Sequence, residues 1–147
     1  MKILVPVDGS PTSIRAVKLA IDHVKAMPAE ASIILVNVQN FSGFSLPEGA
    51  EIMPSAWIQQ EEQRAAEEAL KDAVTTCREA GISYVTRTER GGVAPTIDRV
   101  ARDEHVQHIF MGTRGLWRGP RPTPWVGGYS VAASSRCTGD ACEIGSS

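Results

Sequence analysis

Two short stretches of this chain combine residue types that can hold a charged, oxygen-rich ligand. One is Asp8-Gly9-Ser10, which follows the apolar residues 2–7; the other is Gly112-Thr113-Arg114-Gly115, which follows the apolar residues 107–111. A glycine-bearing loop at the end of a strand exposes backbone N–H groups that can bond phosphate oxygens, and Arg114 adds a permanent cation beside them. Asp8 is suited to accept from a ribose hydroxyl or to help hold a divalent ion next to phosphates. Each feature also has a plainer use. Gly-x-x-Gly serves as a turn, an aspartate before a helix serves as a cap, and an arginine serves as a solvated surface charge. Stronger catalytic signatures do not occur: there is no Walker loop, dinucleotide fingerprint, zinc-protease motif or Gly-x-Ser-x-Gly elbow. His23, His105 and His108 have no acidic or cysteine neighbour at ligand spacing, so no catalytic residue and no metal site made by protein side chains alone is expected.

The elements that must position these residues follow from periodicity. Short apolar runs alternate with helical patterns, which predicts a parallel sheet covered by helices. Residues 2–7 form the first strand; Ser10 then caps a helix with Pro11 in its first turn, and Ile14, Val17, Ile21 and Val24 give it one apolar stripe. Residues 32–38 contain Ile33-Ile34-Leu35-Val36 without alternation, as expected of a strand covered on both faces. Residues 39–54, rich in Phe, Gly, Ser and Pro, make a connection longer than most and suit a moving cover. A long helix over 55–80 is polar at 59–62 and apolar at Ala66, Leu70, Ala73, Val74 and Cys77, with Gly81 as its stop. A third strand near 83–88, a Gly91-Gly92 turn, a helix near 95–104 and a fourth strand at 107–111 complete the pattern.

Length and composition bound the function. The 147 residues suffice for one domain with a real core, and 15 basic against 17 acidic residues offer no broad basic surface for nucleic acid. No apolar run approaches a membrane span, and residues 1–8 do not read as a signal peptide. Three widely spaced cysteines suit free thiols in a reducing compartment, so a cytoplasmic protein is expected. Beyond Leu116 the composition breaks: residues 117–147 hold only Val126, Val131 and Ile144 among Val, Leu and Ile, and 13 of the 31 are Gly, Pro or Ser. Such a segment has little apolar surface to offset ordering entropy, and disorder is the corresponding expectation. A reading-frame shift after about Leu116 or a naturally divergent tail would each produce this break.

The residues assembled above resemble the universal stress protein family over positions 1–116. The carriers are Ile3-Leu4-Val5-Pro6-Val7-Asp8-Gly9-Ser10, and the stretch from Gly91 to Met111-Gly112-Thr113-Arg114-Gly115-Leu116. The resemblance implies a Rossmann-like α/β fold: an open parallel five-stranded sheet in order 3-2-1-4-5 with helices on both faces. Strands one and four then lie side by side where the order reverses. It further implies binding of ATP or another adenine nucleotide, with magnesium, in a stress response, and hydrolysis that is slow at most. Carried over by position, Val7 and Asp8 lie beside the adenosine and Val38 near the base. Met111 and Gly112 line the pocket floor, and Arg114 and Gly115 face the phosphates.

Two departures qualify these expectations. The ATP-binding branch places Gly then Ser or Thr where this chain has Trp125-Val126; a shifted loop would offer Gly128 or Ser130 to the phosphates instead. The family's apolar fifth strand, which commonly pairs across a homodimer, has no recognisable counterpart in residues 137–144. The alternative function is therefore a family member without nucleotide, acting through dimerisation or a partner. An ATP-pyrophosphatase or adenylyl-transfer enzyme would need a Ser-Gly-Gly-x-Asp-Ser loop or a His-x-Gly-His pair, and neither occurs; a flavodoxin-like carrier would need an aromatic flavin site.

Overall fold

A computed structural model of the chain describes residues 1–27, 30–39, 55–112, 125–126, 129–130, 137–138 and 141–145. Strand β1 (Lys2–Pro6) leads to helix α1 (Pro11–Ala26), strand β2 (Ser32–Gln39), helix α2 (Ser55–Glu79), strand β3 (Tyr84–Arg90), helix α3 (Val93–Asp103) and strand β4 (His108–Gly112). Four of these strands form a parallel sheet in order β3-β2-β1-β4. The expected boundaries hold within about two residues, the scatter normal for helix and strand ends.

The topology follows from chain direction. Steps from β1 to β2 and from β2 to β3 run the same way across the sheet, whereas the step from β3 to β4 returns past β1. Right-handed crossovers then require α1 and α2 on one face and α3 on the other. The core divides accordingly. Ala16, Val17, Ala20 and Ile21 of α1 and Leu70, Ala73 and Cys77 of α2 pack on Ile3, Val5, Val7, Ile33, Leu35 and Phe110. On the opposite face, Ile97, Val100 and Ala101 of α3 pack on Leu4, Ile34, Val36, Ile109 and Met111. Burying each of these larger side chains contributes about 1.5–3 kcal/mol, and together they hold the sheet between its two helical layers.

Helix signals are used as the sequence anticipates. Ser10 caps α1, its hydroxyl accepting from Ser13 N–H at 3.2 Å, and Pro11 stands in the first turn. Gly81 ends α2 in the left-handed region at φ +69°, and Gly91 makes the turn into α3 at φ +128°. One expectation about α2 is corrected. Glu62, expected on the polar side, is buried and paired with Arg90 at the end of β3.

The edge beside β4 is where the sequence lacks a recognisable apolar fifth strand. No parallel fifth strand stands there among the described residues. Instead β7 (Cys137–Thr138) and β8 (Ala141–Gly145) form an antiparallel pair, and β8 runs antiparallel to the whole of β4, from His108↔Gly145 to Gly112↔Ala141. The residues read as strandless therefore pair with the sheet. An open strand edge offers a row of backbone N–H and C=O groups, and these bond any extended segment whatever its side chains. A further short pair, β5 (Trp125–Val126) with β6 (Tyr129–Ser130), forms a separate two-stranded sheet.

Candidate functional site

The carboxyl ends of β1, β2 and β4 meet around the first turn of α1. Pro6 is the last residue of β1 and has no N–H, so it cannot extend the ladder. Pairing of β1 with β2 continues to Pro6↔Val36, but pairing with β4 is confined to Ile3↔His108 and Leu4↔Ile109. The two central strands thus part at the point where strand order reverses, and such a point in an open α/β sheet opens a crevice for ligands.

Beyond Pro6 the chain is held closely. Val7 is buried; its N–H bonds the Val36 carbonyl at 2.8 Å, and its own carbonyl accepts from Asn37 Nδ2 at 2.8 Å. Asp8 is half-buried, and its Oδ1 accepts from Ser10 N–H at 2.9 Å. The helix cap is therefore Ser10, and Asp8 organises the turn ahead of it. Gly9 supplies the left-handed residue, φ +79°, and a Cβ there would stand 3.3 Å from Ala69 Cα, so α2 lies directly over this turn. Ser13 Oγ donates to the Ser10 carbonyl at 2.8 Å, and the Ser10 and Thr12 hydroxyls are 2.9 Å apart.

From the other side, β4 delivers Met111 and Gly112, both buried. Gly112 presses against α1: a Cβ on it would meet the Thr12 carbonyl at 2.8 Å and Ser13 N at 3.0 Å. Asp8 and Gly112 accordingly flank one helix N-terminus, where the positive end of the helix dipole favours an anion. Val38 is partly buried and packs toward the α3 face. Val7, Asp8, Val38, Met111 and Gly112 thus share the carboxyl edge of the sheet. Of the cover expected at 39–54, Gln39 is the last residue of β2, and the remainder lies outside the described residues, as do Arg114, Gly115 and Gly128. Ser130 is in β6, opposite Trp125.

Three polar residues at this edge escaped the sequence reading. Asn37, Gln39 and Glu62 form contacts between β1, β2, α2 and β3: Gln39 Nε2 donates to Asn37 Oδ1, and Gly91 N–H bonds the Gln39 carbonyl at 3.1 Å. A signal was present in Asn37, an amide set in the run Ile33-Ile34-Leu35-Val36, because a polar group so placed must find partners. Among the described residues no group of three or more His, Cys, Asp or Glu side chains could hold a metal ion. His23 and His108 lie elsewhere, near the far end of α1, their rings 5.0 Å apart and His23 beside Phe110. The groove between α2 and β3, about 490 Å³ and lined by Arg64, Lys71, Arg78 and Thr86 among others, contains none of the five site residues.

Fold and site together define a class, the open α/β proteins with a crevice at the topological switch point. Comparison with known proteins gives the family. The family model described as the universal stress protein family matches residues 1–124, and the chain belongs to that family. It is 35% identical over 115 residues to universal stress protein MJ0531 of Methanocaldococcus jannaschii, a match covering 78% of this chain and 65% of the relative. It is 30% identical over 118 residues to universal stress protein YxiE of Bacillus subtilis, covering 78% and 80%. Among solved structures, a universal stress protein family member from Burkholderia pseudomallei superposes with a TM-score of 0.61 at 26% identity, over 78% of this chain and 83% of the other. A family protein from Arabidopsis thaliana with AMP bound shares the fold, with a TM-score of 0.56 at 18% identity over 79% and 78%. Among the described residues no helix is long and apolar enough to cross a membrane.

Proposed function

We propose that this chain binds ATP or another adenine nucleotide, with magnesium, as a cytoplasmic stress-response protein that hydrolyses it slowly at most. The observation that carries this reading is the juxtaposition of Asp8 and Gly112 at the α1 N-terminus, where β1 and β4 part. Asp8, with one carboxylate oxygen engaged by Ser10 N–H, offers the other to a ribose hydroxyl or to nucleotide-bound magnesium. Val7 and Val38 line the adenosine end, Met111 and Gly112 the floor. Arg114 and Gly115, immediately beyond β4, serve the phosphates, and Gly128 or Ser130 adds donors. AMP in the Arabidopsis relative supports the ligand class. Efficient hydrolysis would need a base placed beside a phosphate loop with a second cation, and Asp8 alone is not that constellation.

Trp125, standing where the ATP-binding branch carries glycine, favours a second reading: a member acting as a homodimer or through a protein partner without nucleotide. Equilibrium dialysis of the purified chain against labelled ATP, with and without magnesium, separates the two. Retention of about one nucleotide per chain that unlabelled ATP displaces supports the first reading; no retention supports the second.

A further inference from the structure

We propose that Asn37 is a positioning residue that sets the Asp8 carboxylate for the ribose of a bound nucleotide. This rests on the nucleotide reading given above. Asn37 is 4% exposed, in a strand otherwise aliphatic through Val36. Burying an unsatisfied amide costs about 1–3 kcal/mol, so its placement demands partners at both ends. It has them. Nδ2 donates to the Val7 carbonyl at 2.8 Å, and Oδ1 accepts from Gln39 Nε2.

The Val7 carbonyl is the one that β2 would ordinarily engage through its backbone. Val7 N–H already bonds the Val36 carbonyl, and in a parallel ladder the next rung would come from Val38 N–H. The Asn37 side chain takes that carbonyl. It therefore tethers the first residue beyond β1 by a side-chain bond. The Val7–Asp8 peptide is fixed at its carbonyl by Asn37, and the Asp8 carboxylate is fixed at Oδ1 by Ser10 N–H. Gln39 orients the Asn37 amide, and Gly91 N–H holds the Gln39 carbonyl at the end of β3. Side-chain bonds thus run from Gln39 through Asn37 to the carbonyl of Val7, the residue before Asp8, and a site gains affinity when such groups are held before the ligand arrives.

The test compares ATP with 2′,3′-dideoxy-ATP by fluorescence-competition titration of the intact chain, reading the ribose hydroxyls as a ratio of Kd values. Wild-type protein is expected to favour ATP by about tenfold, and Asn37→Leu, similar in size but without a donor, to favour it by about twofold. Asp8→Asn sets the floor of the ratio, and adding Asn37→Leu to it produces no further fall. A merely structural role would lower the melting temperature and leave the ratio unchanged. Gln39→Leu, at the partly exposed strand end, is the second arm and is expected to lower the ratio to about fourfold. An unchanged ratio in folded Asn37→Leu overturns the proposal, and if that variant does not fold, an unchanged ratio in Gln39→Leu overturns it. Wild-type protein that binds ATP with a ratio near one defeats the ribose role of Asp8 and this proposal alone. Wild-type protein that binds neither nucleotide defeats the nucleotide reading, and this proposal with it.

Discussion

A Cβ at Gly112 would stand 2.8 Å from both the carbonyl carbon and the oxygen of Thr12, which are backbone atoms in the first turn of α1. Such atoms cannot rotate aside, so any side chain there must push β4 and α1 apart. The glycine therefore has a packing role that a reading of the phosphate motif alone would not supply, and it brings the end of β4 within reach of the Asp8 turn. Gly112→Ala is expected to destabilise the fold by about 1–3 kcal/mol, the usual consequence of overpacking. A lowered urea midpoint with an unchanged m-value would show this; an unchanged midpoint would mean that the helix gives way freely. Cys77 marks the opposite case. It lies on the core-facing side of α2, wholly buried, and burial pushes its thiol up to about 11, so it behaves as a core residue and not as a nucleophile.

At the scale of elements, α3 is tied to the sheet by charges as well as by its apolar stripe. Glu104, at the end of α3, bonds Lys2 of β1 at 2.8 Å and Arg87 of β3 at 2.8 Å, and Arg99 of α3 bonds Glu89 of β3 at 2.8 Å. The hydrogen bond from Lys2, followed by the charges of Lys2 and Arg87, holds the Glu104 carboxyl below its ordinary value. A carboxyl with a depressed pKa in the folded state contributes stability above its unfolded pKa and loses it as pH falls through the folded value. Glu104→Gln is thus expected to cost up to about 1 kcal/mol at pH 7, and the difference from wild type to vanish on acidification below the carboxylate range. Denaturation curves at pH 7 and pH 3 test this; an equal deficit at both values would remove the charge as its cause.

The same scale shows what the sequence made legible. The aliphatic run Ile33–Val36 in β2, the helical stripe of α1 and the Ser10-Pro11 start are readable because local pattern and burial agree there. Glu62 was misread because its helix face is polar by composition, and only the return of β3 brings Arg90 to it. Asn37 carried a signal without a partner, since Val7 is 30 positions away in the chain. β8 carries no apolar period to announce it; backbone pairing with the β4 edge selects it.

For the whole molecule, the return of the chain past β1 creates a switch point, and Pro6 opens it by ending the ladder with β4. The residues proposed for the site, at positions 7, 8, 38, 111 and 112, share the carboxyl edge of the sheet although no local segment contains them all. Membership of the universal stress protein family agrees with this architecture. The adenine-nucleotide site proposed for this crevice has Asp8 as a contact. Calorimetric titration of the intact chain with ATP and magnesium, run beside Asp8→Ala, tests it most directly. Saturable binding by the wild type is expected, with at least about a tenfold weaker Kd for Asp8→Ala, a loss of about 1.4 kcal/mol. Absence of binding by folded wild-type protein, or binding that Asp8→Ala leaves unchanged, would contradict it.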